Sequence, residues 1–123
     1  PSFKSLRDKV QRASGKHWLK GIDGRRLLIR TQHAALNTLL QGGGAIVMKR
    51  GLAMLDSLIR LNAFDAKFVA NIHDEWQMEV REDIADNVGA LAVECIIKAG
   101  EHYNLRCPMD GEYKVGDNWS ETH

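Results

Sequence analysis

Two cysteines in 123 residues, Cys95 and Cys107, are too few and too far apart for a disulfide framework or a thiolate metal site, and they read as reduced, buried thiols. No apolar run approaches the length of a membrane span, and the first residues, PSFKSLRDKVQR, form a basic helical pattern without the apolar core of a signal peptide. Repeats, low-complexity tracts and evident linkers are missing as well. These absences leave one domain of ordinary size, with no membrane partner and a cytoplasmic setting expected.

Acidic residues are scarce in one half only. Residues 1–50 hold 11 Lys/Arg against 2 Asp/Glu, a net charge of +9, whereas residues 51–123 hold 6 against 14, a net charge of −8. A basic half suits a polyanion and an acidic half can collect divalent metal; equally, the two halves can attract each other in the fold.

Apolar spacing gives a coarse map. Phe3, Leu6 and Val10 mark a short amphipathic helix. HWLKGIDGRRLLIR reads as a basic hairpin turning at Ile22-Asp23-Gly24 and carrying Lys20, Arg25, Arg26 and Arg30. A long helix runs from about Thr31, its N-cap, to Leu61, with Leu36, Leu40, Val47, Met54, Leu55 and Leu58 near one face. Inside it stand Gly42, Gly43 and Gly44, each costing a helix about 1 kcal/mol relative to Ala. Such a run admits three readings: close packing of another helix, a break in the helix, or close approach of a ligand.

A second hairpin is expected from Lys67 to Ile72 and Trp76 to Val80, with Phe68, Ala70, Ile72, Trp76, Met78 and Val80 on its buried face. A second long helix, Asp83 to Ala99, carries Ile84, Val88, Leu91, Cys95 and Ala99 and ends at Gly100, and the tail offers one more short strand. The fold class is α+β, an antiparallel sheet with long helices packed on one face.

Two features carry chemistry. The turn of the second hairpin is His73-Asp74-Glu75, where Gly or Asn is usual; hard cations such as Mg²⁺ take one or two protein carboxylates plus phosphate oxygens, and phosphoryl transfer uses that arrangement. Taken alone, such a triplet is more often a plain exposed turn. The second feature is His33, Asn37 and Gln41 at i, i+4 and i+8, a polar row that either faces water or reaches into a minor groove, where acceptors recur at every base pair.

LKGIDGRRLLIRTQHAALNTLLQGGGAIVMKRGL, then IHDEWQMEV, then GEYKVGDNWSETH, in that order, resemble the C-terminal palm region of family A DNA polymerases, the phage branch more than the bacterial one. The resemblance covers essentially the whole chain and implies a partial palm subdomain over residues 15–123, preceded by residues 1–14 as the end of the connection from the fingers. It implies that His73-Asp74-Glu75 is the family's motif C, with Asp74 a Mg²⁺ ligand, Glu75 an adjacent accessory acid and His73 near the primer terminus. His33, Asn37 and Gln41 fall where the family touches the minor groove of primer-template DNA. Bacterial members tend to carry Arg at the site of His33, so no guanidinium contact is expected here. Lys20, Arg25, Arg26 and Arg30 fall near the duplex backbone, and His123 matches the family's usual last residue, near the active centre.

Two parts of the family pattern are missing from these residues. Motif A, Asp-x-Ser-x-x-Glu, which brings the second metal-binding Asp, has no match; Asp56-Ser57 lacks the spacing. Motif B, a helix with Arg, Lys and a Tyr that binds the incoming dNTP, has none either, since Tyr103 and Tyr113 both follow motif C. The isolated chain is therefore expected to be inactive and to act with a polypeptide carrying motifs A and B, or else to be a polymerase remnant. Apolar surface left uncovered in this way favours self-association. Outside the family, a non-catalytic duplex-binding module and a metal phosphoesterase using Asp74, Glu75 and His73 or His102 are the other readings.

Overall fold

The computed structural model describes residues 2–122. The chain is α+β, with two two-stranded antiparallel sheets and two long helices, and it divides into two compact units, residues 1–46 and 47–123.

The first unit opens with helix α1, Phe3–Ala13, whose N-cap Ser2 accepts a hydrogen bond from the Ser5 amide. Strands β1, Trp18–Lys20, and β2, Arg26–Leu28, pair with Trp18 opposite Leu28 and Lys20 opposite Arg26. Their connection closes at Gly21, whose amide donates to the Arg25 carbonyl at 2.8 Å, and Gly24 takes φ 88°, which its missing β-carbon permits. Leu19, Ile29 and Ala35 form the core here, with Val10 and Leu39 packed on it.

Helix α2, Ala35–Leu61, follows a single 3₁₀ turn at Gln32–Ala34. Thr31 caps it as expected: its backbone is extended and its hydroxyl accepts from the Ala34 amide. The glycines do not break the helix. Leu40 departs from its expected place, standing 62% exposed, while Leu39 packs into the core and Ile46 is buried. The apolar stripe of this first stretch passes through Ala35, Leu36, Leu39 and Ile46, and Leu40 lies just off its edge.

In the second unit, strands β3, Ala66–Ile72, and β4, Glu75–Val80, form a hairpin covered by α2 and by α3, Ala85–His102. Leu55, Ile59 and Cys95 are its buried centre, surrounded by Phe68, Trp76, Met78 and Leu91 among others. The expected alternation holds on β4 but not along all of β3. Phe68 faces Met78, whereas Ala70 faces Gln77 and Ile72 faces Glu75, with Val69 inserted as a bulge. The extra residue shifts the pairing, and Ile72 leaves the core face at 42% exposed, while Ala70 stays half-buried.

Gly100 does not end α3, which continues to His102; it is buried, and Met109 lies where its β-carbon would stand. The tail forms no strand among the described residues. It runs along α3, with Tyr113 over Gly89 and its hydroxyl donating to Asp86, and finishes in a short helix, α4, Trp119–Thr122. Both cysteines are free thiols, but only Cys95 is buried; Cys107 is exposed. No helix among the described residues is long and apolar enough to cross a membrane.

Candidate functional site

In the second unit the site is built on the β3–β4 turn. Ile72 pairs with Glu75, leaving His73 and Asp74 as a two-residue connection in which His73 takes φ 55°. A positive φ at the first central position is the type II′ pattern, where Gly is usual. A side chain there costs on the order of 1–3 kcal/mol and persists only when its surroundings impose it. The carboxylate of Asp74 is exposed and enters no ion pair with a described residue, so no described basic side chain quenches it.

Glu75 begins β4 and is half-buried, on the strand face opposite Trp76. Trp76 anchors that end of the strand: it meets Phe68 edge to face, centroids 6.5 Å apart, and lies on Gly51 of α2. Its indole N–H is buried with no hydrogen-bond partner among the described residues, a further cost held in this corner. Asp74 therefore projects from a turn whose base is fixed by packing.

Among the described residues no group of three or more His, Cys, Asp or Glu is arranged to hold a metal ion. The turn offers part of a site, one exposed carboxylate with a half-buried second beside it, which is the protein share that Mg²⁺ commonly takes when water and phosphate complete the octahedron. The cavity of about 120 Å³ lined by Asp65, Lys67, Glu79, Val80 and Arg81 lies at the opposite end of the hairpin and includes none of these residues. Its Arg81 is engaged by Asp83, which it holds at 2.5 Å and whose carboxyl that bond depresses below the ordinary range.

The other expected contacts belong to the first unit. Asn37 and Gln41 are exposed along α2, and His33, also exposed, precedes them on the 3₁₀ turn. The glycines beside them split in role: Gly42 packs on Leu27, with methyl carbons 3.1 and 3.3 Å from a notional β-carbon, while Gly43 and Gly44 have nothing within 4 Å. Gly44 lies one turn beyond Gln41 and extends the polar row with bare backbone. Arg30 is exposed just after β2, and His123 lies outside the described residues. Sequence reasoning missed the Gly51–Trp76 contact and the Val69 bulge; neither a glycine flanked by Arg50 and Leu52 nor a valine in a strand signals its distant partner.

The family model for DNA polymerase family A matches residues 7–121. The chain is 41% identical over 115 residues to the DNA-directed DNA polymerase of Enterobacteria phage T3 and 38% identical to that of Escherichia phage T7, covering 88% of this chain and 16% of each relative. DNA polymerase I of Pseudomonas aeruginosa is 28% identical, over 90% of this chain and 13% of its own length. Among solved structures, the POL domain of Pol1 from M. smegmatis, in complex with DNA primer-template and dNTP, matches 78% of the chain and 19% of its own at a TM-score of 0.72 and 22% identity, a likeness of fold. The α+β chain, with its long helices, shares its fold with a polymerase domain, and it belongs to DNA polymerase family A. It spans about a sixth of the length of the two phage relatives.

Proposed function

We propose that this chain is the palm portion of a family A DNA-directed DNA polymerase that contributes motif C to template-directed nucleotidyl transfer. The observation that carries the proposal is the state of Asp74: exposed, without an ion pair among the described residues, and set on a turn that keeps a side chain at positive φ. Asp74 is the Mg²⁺ ligand and Glu75 the accessory acid beside it. Bound there, Mg²⁺ would neutralise charge on the phosphoryl oxygens as it does in such transfers. His73, next to the carboxylate on the same turn, lies near the primer terminus.

His33, Asn37 and Gln41 hold primer-template DNA by its minor groove, reading acceptors common to all base pairs, and Arg30 meets the duplex backbone. Residues 1–14 are the end of the connection from the fingers and residues 15–123 the palm portion. A second metal-binding carboxylate and the dNTP site belong to a polypeptide carrying motifs A and B, and the isolated chain is inactive. Exposed Leu61 (80%), Val69 (69%) and Val115 (55%) support a surface that such a polypeptide, or a second copy, covers. The phage and bacterial relatives support a setting in the host cytoplasm.

A second reading rests on Gly43 and Gly44, whose open side is as useful to a non-catalytic duplex-binding module. Primer extension separates the two. Mixed with a polypeptide carrying motifs A and B and Mg²⁺, the chain restores extension, and Asp74→Ala lowers it at least about a hundredfold, the effect of removing a metal ligand worth several kcal/mol in the transition state. Extension that survives Asp74→Ala sinks the metal assignment, and duplex binding indifferent to that substitution, with no extension restored, favours the module.

A further inference from the structure

The outward face of the β1–β2 hairpin gathers cations that no acidic side chain among the described residues neutralises. Strand alternation puts Leu19 in the core and turns Trp18 and Lys20 outward, with their partners Leu28 and Arg26. Lys20 and Arg26 thus stand directly opposite each other as like charges, an unfavourable cross-strand pair. The nearby acid does not relieve them, because Asp23 is taken by Arg25, whose Nε–H donates to it at 2.6 Å. Lys16, Lys20 and Arg26 enter no ion pair with any described residue.

Next to this cationic rung lies an apolar one. Trp18 is half-buried and faces Leu28, which is 71% exposed. The Lys16 ammonium sits 3.9 Å from the indole centroid and the Arg26 guanidinium 4.6 Å, so two cations rest on one ring. The two rungs are about 7 Å apart along the strands. The cation–π contacts return part of the cost, but they leave Lys16, Lys20 and Arg26 without an anion among the described residues. A strand of nucleotides with unstacked bases uses both rungs, the phosphates meeting the cations and a base meeting the ring. Duplex DNA would use the cations alone, because its bases are stacked inside.

We propose that this face binds single-stranded DNA, with Lys16, Lys20 and Arg26 on its phosphates and Trp18 stacked under a base. The two cations that lie on the indole swing outward as the base replaces them. The site uses different residues from the minor-groove row on α2 and a different form of DNA, so it extends the proposed function without depending on Asp74.

Fluorescence anisotropy with an oligothymidylate about 15 nucleotides long, in EDTA and low salt, tests it. The chain binds the oligonucleotide with quenching of tryptophan emission; Trp18→Ala weakens binding about fivefold or more, as loss of one stacked base does. Lys20→Glu and Arg26→Glu, both at exposed positions, weaken it and flatten its salt dependence while circular dichroism stays native. Trp18→Phe keeps a ring for packing, so it retains most of the affinity and loses the quenching. Unchanged binding by natively folded Trp18→Ala overturns the proposal, as does a lack of effect of both glutamate substitutions. Should Trp18→Ala unfold, the glutamate variants and Trp18→Phe decide it. Failure here leaves the extension assay with Asp74 untouched.

Discussion

The indole of Trp76 lies on the bare backbone of Gly51: a β-carbon at Gly51 would stand 2.9 Å from Cη2 of Trp76 and 3.4 Å from the Cys95 carbonyl oxygen. Trp76 follows Glu75 and Asp74 in the chain, so this contact sets how the base of the acidic turn rests on α2. Gly51→Ala adds helix propensity of about 1 kcal/mol but forces a buried ring to move, which costs about 1–3 kcal/mol. We expect net destabilisation of about 1 kcal/mol in urea unfolding. A more stable variant would show that the ring is free to shift.

Gly43 and Gly44 should respond the other way, because a β-carbon at either would meet no described atom within 4 Å beyond its own helix backbone and chain neighbours. Alanine at each stabilises the helix by about 0.5–1 kcal/mol, seen as a higher urea midpoint at unchanged slope. If the open glycines serve DNA approach, the same substitutions weaken duplex binding even as they stabilise the protein. Stabilisation with unaltered duplex affinity would leave the glycines without a role in binding.

What the sequence announced and what it hid follow from range. Thr31 as a cap, Asp23-Gly24 as a turn and the apolar stripe Val88, Leu91, Cys95 and Ala99 are local patterns, and each appears in the structure where periodicity or capping put it. The Val69 bulge, the burial of Gly100 under Met109 and the exposure of Leu40 depend on residues distant in the chain or on which neighbour wins a groove. Gly100 illustrates the difference: a glycine near the end of a helical pattern reads as a stop, yet here it makes room for the returning tail. Of the candidate site, the exposed turn at Asp74 and the exposed row His33, Asn37 and Gln41 were legible, while the packing that holds the turn was not.

The two thiols should separate in reactivity. Cys95 is 1% exposed and burial pushes its pKa up, whereas Cys107 is exposed. A disulfide reagent near neutral pH therefore titrates one thiol quickly and the second only on unfolding. The sign of the pH effect follows. With the native Cys95 value above that of the unfolded chain, near 8.5, its contribution to stability is complete below about pH 8.5 and is lost as pH rises through the native value. Cys95→Ala would lose that alkaline sensitivity, and two fast thiols in the native protein would contradict the packing.

His73 supplies the sharpest contrast between stability and function. At φ 55° its side chain strains the turn, and glycine at that position relieves the strain while enlarging the freedom of the unfolded chain. The two effects oppose each other, so His73→Gly should change stability by no more than about 1 kcal/mol in either direction. A β-branched residue, which tolerates this region least, should cost about 1–2 kcal/mol, as His73→Val measured by urea unfolding would report. If the imidazole lies near the primer terminus, His73→Gly lowers extension in the reconstituted polymerase although the fold is unharmed. Extension at the wild-type rate with glycine there would mean that the turn needs its shape and not its histidine, and the strained residue would then lack a functional reason.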